Sequence, residues 1–305
     1  MLASATAAMF LLRRVVSLTN QLSASFLGRE ADVVMIDLED AVAPAEKAAA
    51  RETVAEALRG GDWRGRTRTF RINAPDTPWF ARDLVSVFDL AEGQIDLIVL
   101  PKASGPGDVQ TVSTIVASLE TPNQQPVMLD VQIESAAGLA LCEAIAVSST
   151  RVASLVFGPG DFAASVRMPL AAIGMPDTWD DVYPGHRWDY ALQRILVAAR
   201  AAGVLAIDGP YADFRDLDGF RRSCLVSRAL GYDGKWCIHP AQVSVANEVF
   251  SATTEEMAWA GAVMAANAAA EAEGRGSFAL NGHMVDAATL RMAAATLARA
   301  GRTGA

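Results

Sequence analysis

Apolar runs alternate with helical patterns along the whole chain. Eight runs read as strands: "AAMFLLRRVV" (7–16), "DVVMIDLED" (32–40), "RTRTFRIN" (66–73), "IDLIVLPKA" (95–103), "PVMLDVQIES" (126–135), "VASLVFGPGD" (152–161), "AGVLAIDGP" (202–210) and "GKWCIHP" (234–240). Most are near-continuous apolar stretches, not strict alternations, as expected of parallel strands covered on both faces. Between them lie amphipathic helical segments such as "PAEKAAARETVAEALRG", "PWFARDLVSVFDLA", "VQTVSTIVASLE", "HRWDYALQRILVAARAAG" and "DLDGFRRSCLVSRALG". Strand, helix and strand at this spacing give parallel βαβ units. Eight such units predict an α/β fold, a TIM (β/α)8 barrel.

Closure of that barrel depends on the first run. The opening 29 residues hold no acid and several arginines and serines, a composition shared with mitochondrial transit peptides. The count of eight decides for a strand. Residues 1–250 are then the catalytic barrel, and 251–305 are surplus to it. This tail reads as an alanine-rich helix, a short glycine-punctuated loop and a last helix, together a C-terminal helical lid extension.

Composition narrows the function. With 305 residues, 51% hydrophobic, the chain can bury one large core. A net charge of -9 argues against nucleic acid or an anionic membrane surface as partner. No apolar run is long enough to span a bilayer, so the expected location is the cytoplasm. Cys142, Cys224 and Cys237 show neither metal-ligand spacing nor a disulfide framework and read as buried small hydrophobes.

A TIM barrel keeps its chemistry at the carboxyl ends of its strands. Here those ends carry Asp37, Glu39 and Asp40, then Arg71 and Asn73, Lys102, Gln132 and Glu134, Asp161, Asp208 and His239. Taken singly, each is more readily a helix cap or a satisfied polar group; their convergence on one rim points to a site. Glu134 and Asp161, on neighbouring strands, suit a hard cation such as Mg²⁺, which takes one or two carboxylates and leaves room for water and substrate. Only His186, His239 and His283 are available to favour zinc. Arg71 is the fixed cation for a substrate carboxylate or a developing oxyanion. "FGPGD" reads as a flexible turn whose backbone N–H groups around Gly160 could hold an acid group. In "DVYPGHRWDYALQRI", Arg187 reads either as packing against the barrel or as a contact for an anionic ligand.

The motifs "IDLEDAV", "FRIN", "LPKA", "VQIESAAGL", "FGPGDFAA", "AIDGPYADFRD", "GKWCIHPAQ" and "GHMVDAATLRMA" together resemble the citrate lyase β-subunit-like proteins of the HpcH/HpaI aldolase superfamily, and within it the malyl-CoA and citramalyl-CoA lyase branch. The resemblance implies a Mg²⁺-dependent carbon–carbon lyase acting on a CoA thioester and a small 2-oxo acid, assembled as a homotrimer or homohexamer. It places Mg²⁺ between Glu134 and Asp161, substrate oxygens on Arg71, and the metal's waters on Glu39 and Asp40. It also implies a lid exchanged between subunits, with Asp286 as the acid that serves the neighbour's site. The N-terminal run departs from the family's "RSxLFVPG"-like opening, whose basic residues contact CoA phosphates; Arg13, Arg14 and Arg29 are the available replacements. Three other readings stand beside the lyase. One is hydrolysis of malyl-CoA as a thioesterase. Another is a CoA-independent 2-oxo acid aldolase, opposed by the lid motif. The last is a non-catalytic subunit of a lyase complex, opposed by the intact Arg71, Glu134 and Asp161 set.

Overall fold

The computed structural model describes residues 15–18, 31–61, 63, 66–122, 124–183, 186–272 and 274–301. Strands β2 (Val33–Asp37), β3 (Thr67–Arg71), β4 (Leu97–Leu100), β5 (Met128–Ile133), β6 (Val152–Phe157), β7 (Leu205–Asp208) and β8 (Gly234–Cys237) form a curled parallel sheet in chain order. A further strand, β1 (Val15–Leu18), pairs in parallel with β2 and, through Val15 and Val16, with Trp236 and Cys237 of β8. The described strand Val15–Leu18 overlaps the apolar run 7–16 at Val15 and Val16. The rest of that run, with Arg13, Arg14 and Arg29, lies outside the described residues.

Register fixes which side chains line the inside of the curl. Val33, Met35 and Asp37 stand opposite Thr67, Thr69 and Arg71, and Thr69 and Arg71 in turn stand opposite Leu97 and Val99. Because successive side chains alternate between faces, these positions share the inner face. Val33, Met35, Leu97, Val99, Val156, Leu205, Ile207 and Trp236 are packed there into one buried cluster. Buried polar side chains also lie on this face, Thr69, Asp130 and Ser154, the last donating to Asp130, and at the carboxyl ends it carries Asp37, Arg71 and Gln132. The outer face is covered by helices such as Lys47–Gly60, Phe80–Ala91, Pro106–Leu119, Asp189–Ala202 and Leu217–Leu230, close to the segments expected. The three cysteines are buried and none is in a disulfide.

Two local readings are corrected. "FGPGD" is not a flexible turn: Pro159–Ser165 is a short helix with Pro159 and Gly160 in its first turn, where proline's missing N–H costs nothing. The glycine-punctuated loop near the C-terminus is a hairpin: Phe278–Leu280 pairs antiparallel with His283–Val285. Asn281 and Gly282, between them, take φ of 51° and 80°. Two consecutive positive φ values are what a tight primed turn needs, and Asn-Gly is the dipeptide that supplies them.

The chain divides into two compact units, one of Arg13–Val249 and one that includes Phe250–Ala305. In the second, helices Thr254–Ala272 and Ala287–Gly301 pack with the hairpin around Ala260, Val263, Val285 and Ala293. Among the described residues, no helix is long and apolar enough to cross a membrane.

Candidate functional site

The acids at the carboxyl end of β2 are held from several sides. Asp37 accepts the N–H groups of Glu39 and Ala41, which bends the chain back after the strand. Its two oxygens also receive a bidentate pair from Arg71, Nε at 2.8 Å and Nη2 at 2.7 Å. Burial is the largest single influence and would raise the Asp37 pKa; the hydrogen bonds and charge of Arg71 together with the Glu39 and Ala41 N–H groups outweigh it and hold the carboxyl below its usual range. The remaining edge of Arg71 faces Glu39, with Nη1 2.9 Å from Oε2. The other Glu39 oxygen lies 3.0 Å from Lys102 Nζ. Glu39, 4% exposed, thus bridges two cations, although burial and the nearby Asp40 still raise its pKa.

Beneath this loop lies a buried polar network that the sequence alone does not suggest. Lys47 Nζ donates to the carbonyls of Leu38 and Glu39 and to Asn73 Oδ1, each at 2.7 Å. Asn73 donates through both its nitrogens to Asp83, which also accepts from Arg51. Lys47 therefore fixes the backbone that carries Glu39.

Glu134 follows Gln132 on the inner face and is 3% exposed. Oε1 accepts the Lys102 N–H at 2.7 Å, and Oε2 accepts Gln132 Nε2 at 3.2 Å. A Cβ added at Gly158 would come within 2.2 Å of Glu134 Oε2, so this glycine is the space the carboxylate fills. Asp161, in the first turn of the Pro159–Ser165 helix, is half exposed and lies 3.8 Å from Lys102 Nζ. Asp40 Oδ1 is 3.5 Å from the same ammonium. Asp37, Glu39, Asp40, Glu134 and Asp161 thus gather around Arg71 and Lys102, leaving an excess of negative charge. Burial, then Glu39 and Asp161, push the Glu134 pKa up to about 8 against the pull of Arg71.

In the unfolded chain a glutamate ionises near pH 4.3, whereas Glu134 in the metal-free fold does so near 8. Between the two values the unfolded state releases a proton that the folded state keeps, so stability falls as pH rises through that window. Metal-free Glu134→Gln is therefore expected to melt about 5 °C above the unsubstituted protein at pH 8.5 and level with it at pH 4. Differential scanning calorimetry in EDTA reads this, and an equal offset at both pH values would refute it.

Not every polar strand end joins the cluster. Asn73 is spent on Lys47 and Asp83. Asp208 pairs with buried Lys235. His239 stacks on Phe214 at 4.5 Å and accepts the Ala241 N–H at the start of the next helix. Arg187 is 8% exposed in its side chain, pairs with Asp177 and Asp180 and donates to the Pro169 carbonyl, so packing accounts for it. Gly160 sits in a helix, with room for a Cβ limited by Ile173 at 3.0 Å. Asp286 is the N-cap of the last helix: Oδ1 accepts the N–H groups of Ala288 and Thr289. Those bonds, Thr289 first, lower its pKa.

Lys102 is the residue that sequence reasoning placed at the rim without a role. Its side chain reaches three of the acids and its N–H a fourth, because it adopts φ of 51°. Beside it, a cavity of about 420 Å³ is bordered by Glu39, Asp40 and Lys102 and walled by Pro44, Asn73 and Trp79. A larger cavity of about 560 Å³ lies at the amino-terminal end of β3. There Arg59 and Arg68 are already paired with Glu92 and Asp96, away from the acid cluster.

A family model described as HpcH/HpaI aldolase/citrate lyase matches residues 14–240. The chain is 40% identical over 273 residues to the L-malyl-CoA/beta-methylmalyl-CoA lyase of Cereibacter sphaeroides, covering 86% of this chain and 85% of that protein. It is 36% identical over 273 residues to the (3S)-malyl-CoA thioesterase of the same species, covering 90% and 88%. Among solved structures, the CitE protein of Mycobacterium tuberculosis in complex with magnesium, acetoacetate and coenzyme A matches with a TM-score of 0.70. That match is 29% identical and covers 95% of this chain and 98% of that one. A citrate lyase from Burkholderia xenovorans matches in fold with a TM-score of 0.81 at 23% identity, covering 96% and 93%.

Proposed function

The chain belongs to the HpcH/HpaI aldolase/citrate lyase family, and from that membership we propose that it is a Mg²⁺-dependent carbon–carbon lyase. Its substrate is a 3-hydroxyacyl-CoA such as malyl-CoA, methylmalyl-CoA or citramalyl-CoA, cleaved to an acyl-CoA and a 2-oxo acid or formed from them. The carrying observation is the acid cluster around Glu134 and Asp161, held in place by Arg71 and Lys102.

The residues fit a hard dication. Glu134 is buried, short of positive charge and seated against Gly158, and Asp161 stands at the rim. Among the described residues, no three His, Cys, Asp or Glu side chains gather as a closed metal cage. Two carboxylates with open positions are the oxygen-rich, substrate-accessible arrangement that Mg²⁺ uses. When bound there, Mg²⁺ supplies Lewis-acid polarisation of the substrate's hydroxyl and carboxylate oxygens. Glu134 and Asp161 would hold it, and Glu39 and Asp40 would orient its waters.

As the carbon–carbon bond breaks, negative charge moves to the thioester carbonyl oxygen. Arg71, locked on Asp37, is a fixed cation for that charge and needs no reorganisation. The thioester enters through the cavity beside Trp79. Asp286 handles the proton at the acyl carbon: ionised, as the Thr289 and Ala288 N–H groups hold it, it takes that proton in condensation; in cleavage the substrate hydroxyl loses its proton to solvent, and Asp286, protonated from solvent, delivers one to the enolate carbon. We place it in a lid (251–305) that closes a neighbour's TIM (β/α)8 barrel (1–250), in a cytoplasmic homotrimer or homohexamer.

The lid assignment predicts complementation. Asp286→Ala and Glu134→Gln subunits are each inactive alone, and mixed oligomers are expected to regain about one quarter of wild-type activity, because each site then draws its two acids from different chains at random. No recovery after verified subunit exchange would place Asp286 and Glu134 of one site on one chain.

The assay for the function itself is a panel of 3-hydroxyacyl-CoA thioesters with Mg²⁺, following acyl-CoA, 2-oxo acid and free CoA. Release of acetyl-CoA and glyoxylate from malyl-CoA supports the lyase. The likeness to a malyl-CoA thioesterase supports a second reading, in which the products are free CoA and malate. No turnover of any thioester would reject both.

A further inference from the structure

Among the described residues, Lys102 alone touches Glu39, Asp40, Glu134 and Asp161. Left-handed φ is uncommon for a residue with a side chain, and here, at 51°, it serves two contacts at once. It turns the N–H onto Glu134 Oε1 at 2.7 Å and sends the side chain back over the strand ends. The ammonium then lies 3.0 Å from Glu39, 3.5 Å from Asp40 and 3.8 Å from Asp161. Its side chain is 35% exposed, against 14% for Arg71. Arg71 is locked by a two-point grip on Asp37; Lys102 is on a flexible stem with a single close partner.

We infer that Lys102 is a tethered counter-cation of the metal-free site, neutralising Glu39, Asp40 and Asp161 until Mg²⁺ binds and then giving up Asp161. This rests on the metal site proposed above. An ammonium near three carboxylates stabilises them at modest cost, since it stays partly hydrated. A dication arriving at Asp161 competes with that pairing, so part of its binding energy is spent on release. The site therefore binds Mg²⁺ less tightly than its acids alone would, and the metal remains exchangeable. Coupling of this kind is reciprocal: what Lys102 contributes to the metal-free fold through Asp161 is subtracted from metal affinity.

The test uses Lys102→Met, which keeps the length of the stem and removes the charge, with Lys102→Arg as the charge-retaining control. Mg²⁺ affinity is read by titration calorimetry, and thermal midpoints are taken in EDTA and in saturating Mg²⁺. Lys102→Met is expected to bind Mg²⁺ about tenfold more tightly, to melt lower than wild type in EDTA and to fall by clearly less in Mg²⁺, where only the pairs with Glu39 and Asp40 remain to be lost. Lys102→Arg is expected to stay within about threefold of wild-type affinity. If Lys102→Met does not fold in EDTA, Lys102→Gln provides the same three readings. Equal losses of midpoint in EDTA and Mg²⁺ with unchanged affinity would make Lys102 a structural pair in both states and overturn the inference. Weaker Mg²⁺ binding would make it a support of the metal and overturn it too. If the wild type itself binds no Mg²⁺, the metal reading fails first, and this inference with it.

Discussion

Glu134→Gln is expected to lose cleavage of malyl-CoA, with kcat/KM falling by about three orders of magnitude or more, equivalent to at least about 4 kcal/mol of transition-state stabilisation. Both oxygens of Glu134 accept hydrogen bonds, from the Lys102 N–H and from Gln132. An amide in the same place turns an NH₂ toward one of those donors and removes the charge a dication needs. The fold is expected to survive, because the packing of β5 on its outer face does not involve this side chain. Asp161→Asn loses the charge at the exposed partner and is expected to fall by a similar factor. Initial rates with Mg²⁺, alongside calorimetric titration of Mg²⁺, read both variants. Activity above about a tenth of wild type would remove Glu134 from the chemistry.

Arg71→Lys is expected to lower kcat/KM by about two orders of magnitude, or roughly 3 kcal/mol. The structure adds a reason to the one that substrate binding gives. Arg71 grips Asp37 with two parallel donors and still turns Nη1 to Glu39. An ammonium is a point charge and cannot fill that fork, so either Asp37 is left to its backbone N–H groups or Glu39 to Lys102 alone. Steady-state kinetics at saturating Mg²⁺ measures the effect. A fall of less than threefold would reduce Arg71 to a structural ion-pair partner of Asp37.

The order of strands and the polar character of their ends were legible because both are local. An apolar run bounded by turn residues fixes a parallel strand, and the side-chain period of two then places Gln132 and Glu134 on the same face. What stays hidden depends on geometry that local sequence does not encode. Nothing in "LPKA" demands a left-handed Lys102, whose conformation is held by an acid 32 positions away. Lys47 sits in an alanine-rich amphipathic helix and reads as a solvated charge, yet its ammonium is buried under Glu39. Asp208 and His239 read as rim residues until their partners Lys235 and Phe214 appear. The hairpin was legible in principle from Asn281-Gly282, but its flanking strands are three residues each, too short for the apolar pattern to register.

Gly158 has a wider use. Its φ of -108° is open to any amino acid, so turn geometry does not require glycine there; the Glu134 carboxylate does, by occupying the volume of the missing methyl group. A related chain that keeps both acids but has alanine at this position must hold its glutamate somewhere else. When homologues are sorted into metal-dependent enzymes and degenerate copies, this glycine is therefore as informative as the two proposed ligands, and it can be read without knowing the substrate.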